Sequence, residues 1–292
     1  MFKSFIAWLD SYISREEPSA VLKAMVSLMA FAGLLGTIFG NQAIRAGAFV
    51  VVAVFVTSTI LLLLADRRRL RRESAMHLDL LTRYCDFIID HDTKPLIEVN
   101  EWNEVVYVQP NGDVKETLTI RGTALRKEVY FIKLKAGSGW DQPERYLRKV
   151  RMVARSMTVN GIMGPQWNIS RSWSSSRRMT YVLHLHEPVH LGEEIRFEVA
   201  RTWPAKCLPL MRMRASESFI CRMNDLLNVQ QIAYQVVLPR NVEAVYEPVG
   251  FTEPDQHNAI EVSLDNEGRQ VLTWRAHDIP SHRILGMRVE LK

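Results

Sequence analysis

Cysteine is scarce in this chain: three residues in 292, Cys85, Cys207 and Cys221, none of them two positions from another. An odd, unspaced set excludes a disulfide framework and a cysteine-rich zinc site, and it fits a reducing compartment. A Walker-type glycine loop and a G-x-S-x-G elbow are missing as well. With no nucleophile–base set in view, the sequence predicts a protein that is not an enzyme and carries neither cofactor nor metal. Internal repeats and low-complexity tracts are also absent. The last scarcity is local. Residues 21–40 hold a single charge, Lys23, and residues 47–65 hold none.

Each of these two apolar runs would span roughly 28 Å as a helix, about the thickness of a bilayer's hydrocarbon core. The connection, residues 41–46, is too short for anything but an antiparallel pair. Behind the second run stand Arg67, Arg68, Arg69, Arg71 and Arg72, a block that fixes its end on the cytoplasmic side. The expected fold is therefore a two-helix transmembrane hairpin over 21–72 in a bacterial inner membrane, with both termini cytoplasmic. A buried hairpin of a soluble protein fits two runs of this length less well, and a signal peptide would need a shorter basic lead and a cleavage pattern. Residues 1–20 read as an interfacial amphipathic helix with Phe2, Phe5, Ile6, Leu9 and Ile13 on one face. Residues 73–92 read as a connecting helix whose stripe is Met76, Leu80, Tyr84 and Phe87, widened by Leu81, Cys85 and Ile88.

Two features within the hairpin suggest packing and a pore. Ala32, Gly36 and Gly40 recur every four residues, a small-residue face along which membrane helices pack. Thr57 and Ser58 are hydroxyls among aliphatics; they bond the backbone a turn earlier or line a polar path between subunits. Two helices cannot enclose a water path, so conduction would require a homo-oligomer.

From Leu96 the hydrophobic period changes to two. LIEVNEWNEVVYV, VKETLTIRG and EVYFIKLK read as strands, as do 149–157, 179–186, 194–203, 229–238, 259–264, 271–275 and 283–291. Their turns carry Pro110–Gly112, Asn160–Gly161, Gly192 and Asp265–Gly268. About ten strands over 93–292 mean an all-β cytoplasmic domain, a sandwich or a barrel. Only residues 217–227 look helical. His184, His186 and His190 could chelate a metal, but they alternate with Leu183 and Leu185 and read better as a solvated sheet face.

Net charge is +5 overall but unevenly spread: +5 over 1–72, −5 over 73–144, +9 over 145–222 and −4 over 223–292. The basic stretch holds the candidate ligand-binding residues Arg145, Arg148, Lys149, Arg151, Arg155, Arg171, Trp173, Arg177, Arg178, Arg201, Arg212 and Arg214. Trp140, Trp167 and Trp203 are interleaved with them. Arginine beside exposed tryptophan grips phosphates and stacks bases. Anionic lipid headgroups, a protein partner or plain solvation are the competing uses of the same charge.

The order of two apolar helices, an arginine stop and a C-terminal β domain resembles the membrane effectors of bacterial anti-phage systems that signal with nucleotides. These include the two-helix β-barrel effectors of cyclic-oligonucleotide systems and the Hailong-type effector. The resemblance implies an oligomeric pore or ion channel of abortive infection. It further implies control by a nucleotide or short oligonucleotide, such as a DNA oligomer or cyclic oligonucleotide, on the cytoplasmic domain. The ligand would come from a partner nucleotidyltransferase. The alternative is a non-enzymatic membrane anchor whose β domain docks a protein partner.

Overall fold

The computed structural model describes residues 95–292, except 159, 223–227 and 280–282, together with scattered helical positions between Gly47 and Cys85. The chain divides into two compact units, Met1–His77 and Leu78–Lys292. Among the described residues no helix is long and apolar enough to cross a membrane. The two-helix transmembrane hairpin over 21–72 and the multi-pass inner-membrane placement are corrected accordingly: no such hairpin is seen among the described residues, which include none of 21–46 and few of 47–72, and the pore or ion channel has no support from them. Ala32, Gly36, Gly40 and Ser58 lie outside the described residues, whereas Thr57 is helical and exposed. In the connecting segment the described positions are helical, but Met76, Leu80 and Tyr84 are exposed while Thr82 and Cys85 are buried. Of the expected stripe only Cys85 is covered among the described residues, and Thr82, three positions earlier, is covered with it.

The second unit is mostly β-sheet, with thirteen strands among the described residues where about ten were expected. They are β1 (Ile97–Val108), β2 (Val114–Ala124), β3 (Glu128–Gly137), β4 (Arg151–Met157), β5 (Met163–Trp173), β6 (Arg178–His190) and β7 (Glu194–Trp203). After these come β8 (Glu217–Arg222), β9 (Asn228–Val237), β10 (Ala244–Val249), β11 (Asn258–Leu264), β12 (Gln270–His277) and β13 (Ile284–Leu291). Two short helices interrupt them, α1 (Glu144–Leu147) and α2 (Leu208–Met213). Ten strands form one sheet in the order β11-β12-β9-β1-β2-β7-β4-β5-β6-β3, and β10-β13-β8 form a second. Pairing is antiparallel throughout except for β1 with β9.

The long sheet curls on itself. In a flat sheet β6, three strands from β7, would lie about 14 Å away, yet the Arg201 guanidinium on β7 reaches the Tyr181 hydroxyl on β6 at 3.1 Å. Trp167 on β5 likewise meets Phe197 on β7 at 5.6 Å between ring centroids, and Trp173 meets Trp203 edge-on at 5.6 Å. The inner face alternates as period two requires: Ile195, Phe197, Val199, Arg201 and Trp203 of β7 are buried, while Thr202 and Ala200 face out. The small sheet closes the core from its other side, with Phe219 of β8 on Tyr234 of β9. One cluster of buried side chains runs through both sheets.

The β1–β2 turn shows how tightly the loops seat. Gly112 has φ +84, a left-handed conformation glycine adopts without strain. A Cβ there would stand 2.6 Å from the Leu208 Cα. The Gly112 carbonyl accepts from the Cys207 amide at 2.9 Å, and the Asp113 carboxylate accepts from the Ala205 amide at 2.7 Å. The start of α2 is thereby docked on the turn.

Candidate functional site

The basic stretch from 145 to 222 does not converge on one cleft; the fold divides it among three environments. Buried in the core, Arg201 bridges Glu104 of β1 and Glu116 of β2, while Lys206 pairs with the second oxygen of Glu116. Burial alone would raise the Glu116 carboxyl, but Lys206 and Arg201 outweigh it and hold the group below its ordinary range. Burial likewise opposes the charge on Arg201, and Glu116 with Tyr181 and Glu104 more than restores it. Tyr181, inside the same network, is pushed up to about 12 by desolvation. Two cations matched with two carboxylates leave this network balanced, so Arg201 is committed to the core and is not available to a ligand.

Other members are held at the surface. Arg148 bonds Glu144 one turn earlier through Nε at 3.1 Å. Arg177 pairs with Asp141, whose carboxyl that contact draws down. Arg145 lies over its neighbour Tyr146, 4.9 Å from the ring centroid. Arg171 donates to the Val150 carbonyl at 2.6 Å and is half-buried, which lowers its pKa. Arg212 is exposed on α2, and Arg214 caps that helix at φ +53 and donates to the Lys292 carbonyl at 3.3 Å. The tryptophans are spent on packing. Trp167, Trp173 and Trp203 stack in the core, and Trp140 donates to the carbonyls of Ala205 and Lys206 at 3.0 and 3.1 Å.

What remains is a strip along β4. Arg151, Val153 and Arg155 alternate onto its solvent face while Ala154 turns inward. Four residues at about 3.3 Å each set the two arginines roughly 13 Å apart. Lys149 is exposed just before the strand, and Arg178 is exposed at the start of β6. Among the described residues none of these four cations makes a salt bridge. In register, Arg151 sits beside Thr202 and Thr202 beside Lys115, so a third strand adds a lysine to the same face. A shallow groove lined by Gln109, Asn111, Asp113, Lys115 and Thr202 adjoins this end of the strip.

At the seam between the two sheets lies a group the sequence did not single out. Glu217, buried on β8, accepts from the Gly139 amide at 3.1 Å and has no salt bridge among the described residues. Burial pushes its carboxyl up to about 7, with Lys206 and that amide offsetting part of the effect. Cys207 and Cys221 are buried thiols whose pKa burial also raises, so neither is a reactive nucleophile. His184, half-buried on β6, bonds the Ser170 hydroxyl at 2.8 Å, and burial lowers its pKa.

No known protein family matches the chain, and no curated protein does. Among solved structures it resembles a protein described as a protease from Parabacteroides distasonis ATCC 8503, with 10% identity and a TM-score of 0.42 over 67% of this chain and 40% of that one. It also resembles the M1 zinc metallopeptidase of Deinococcus radiodurans, with 14% identity and a TM-score of 0.36 over 66% and 42%. The chain spans about two-fifths of the length of these proteins. The expectation that it is not an enzyme is corrected to this extent: its structural neighbours are peptidases. Likeness at this level gives the chain neither an activity nor a site.

Proposed function

We propose that the β unit binds a nucleotide or short single-stranded oligonucleotide along the solvent face of β4. The observation that carries this reading is that Arg151 and Arg155 stand exposed on one strand face and make no salt bridge among the described residues, although Glu198 lies opposite Arg155 in register. An exposed guanidinium forms charge-assisted, often bidentate, bonds to phosphate. The resemblance drawn from the sequence implies the same ligand class and a nucleotidyltransferase as its source, but its membrane half is not seen among the described residues, so the β4 strip alone carries the proposal. Val153, 37% exposed between the arginines, favours a second reading, an acidic protein segment laid on the same strip.

Fluorescence anisotropy of the full chain with a labelled ten-nucleotide DNA, with a cyclic dinucleotide competing, tests the proposal. With Arg151, Arg155 and Lys149 each on a phosphate, log K should fall against log salt with a slope of about −2. Arg151→Ala/Arg155→Ala should weaken binding at least about tenfold and flatten that slope to about −0.7. Unchanged binding in the double variant would overturn the site. Saturable binding of an oligoglutamate peptide, with no binding of either nucleic-acid probe, would establish the second reading.

A further inference from the structure

At the open end of the β11–β12 pair, strands well removed from β4 in the order of the sheet, two histidines and an aspartate converge. We propose that His257, His277 and Asp278 bind a divalent transition cation of the zinc class. His257 precedes β11 and lies directly opposite His277, continuing the register in which Asn258 pairs with Ala276. The His277 amide donates to the His257 carbonyl at 3.0 Å, which locks the two into a cross-strand pair. Asp278 follows at φ +51, a left-handed residue that ends the strand.

The three ligand atoms form a compact triangle. Nδ1 of His257 is 3.4 Å from Nδ1 of His277, and Oδ2 of Asp278 is 3.1 Å from the latter and 3.8 Å from the former. A triangle with those sides has one point about 2.0 Å from all three corners, which is the bond length zinc makes to imidazole nitrogen and carboxylate oxygen. The corners of a zinc tetrahedron lie about 3.3 Å apart, within the span of these separations.

Hydrogen bonding around the triangle favours a cation at its centre. Nε2 of His277 lies 3.1 Å from the Gln256 carbonyl, a bond only an N–H can make. In the neutral ring that leaves the Nδ1 lone pair aimed at the other two ligand atoms. A backbone carbonyl holding the far nitrogen of a ligating histidine is the usual means of fixing its tautomer. Nearby charge does not oppose a cation. Arg275, one rung along the same face, is turned to Glu261 at 3.8 Å. The side chains of both histidines are 52% exposed, so an ion enters freely and keeps at least one position for water.

Zinc uptake by the full chain, measured by competition with a chromogenic chelator, tests the proposal. The chain has eight histidines, so the decisive quantity is a difference. Wild type should take up one more Zn2+ per chain than His257→Ala/His277→Ala. With Co2+ it should show a tetrahedral visible spectrum that the variant lacks. Asp278→Asn suits the left-handed backbone and should weaken binding about tenfold or more; it gives an independent reading if the double variant fails to fold. Equal zinc uptake by wild type and either variant would overturn the site.

Discussion

Arg201→Met is expected to lower the free energy of unfolding by about 3–5 kcal/mol, among the largest effects of any single substitution in this unit. Arg201 is 4% exposed and lies between Glu104 at 6% and Glu116 at 1%. Methionine fills most of its volume but leaves Glu116 with Lys206 as its one salt-bridge partner and Glu104 with only the Trp102 indole N–H, among the described residues. The loss is therefore chiefly the cost of uncompensated charge in a dry site, not the net worth of the ion pairs. A second variant separates the two. Replacing Arg201, Glu104, Glu116 and Lys206 together by apolar residues of similar volume should recover most of the stability, because no charge is then left to desolvate. Urea unfolding followed by tryptophan fluorescence measures both. A cost for Arg201→Met below about 1 kcal/mol would mean that water reaches the network.

The same network explains why the +9 stretch was misleading in the sequence. A running charge count registers Arg201 as a free cation because its partners Glu104 and Glu116 lie 97 and 85 positions earlier in the chain. Only the register of β2 on β7, which places Glu116 opposite Arg201, brings them together. The tryptophans misled for a related reason. Their strands turn the indoles inward: Trp167 faces the core while Gln166 and Asn168 face out, and Trp203 shares the buried face of β7 with Arg201. The strip on β4 was legible, since Arg151 and Arg155 are four apart in a run of period two.

Strand positions were legible where alternation was regular. Residues 194–203 and 259–264 were read to within a residue of β7 and β11. Three strands were missed. β5 carries Pro165 and serines and reads as loop, and Pro248 disguises β10, an edge strand where proline is tolerated. β8 reads as helix in the sequence because the buried face of its alternation is Glu217, Phe219 and Cys221, and a glutamate does not mark a core position. In β3 a bulge between Val129 and Phe131 breaks the alternation, burying Val129 together with Ile132 and Leu134 and exposing Tyr130. The His257–His277 pair had a usable signal. Folding the two strands about the turn at Asp265–Gly268 puts positions 257 and 277 opposite each other.

Glu217 should make this unit less stable as the pH rises from about 4.5 to about 7. Its ordinary value of 4.5, taken for the unfolded chain, is pushed up to about 7 in the folded state, chiefly by burial. Between those values the folded state binds more protons than the unfolded one, so the unfolding free energy falls with rising pH. Each unit of separation is about 1.36 kcal/mol, so the full loss is about 3 kcal/mol by pH 8. Glu116 acts in the opposite sense and in a different window. Its folded value is held below 4.5, so its contribution is present above that value and disappears as the pH falls. Glu217→Gln keeps an acceptor for the Gly139 amide and cannot ionise. It should match wild type near pH 4.5 and exceed it by up to about 3 kcal/mol at pH 8. Taking the difference between variant and wild type cancels Glu116 and every other shared titration. Urea unfolding of both proteins at half-unit steps from pH 4.5 to 8 gives that difference directly. A difference that stays flat across the series would mean that the Glu217 carboxyl is ionised in the folded protein throughout, held by Lys206 and the Gly139 amide against the cost of burial.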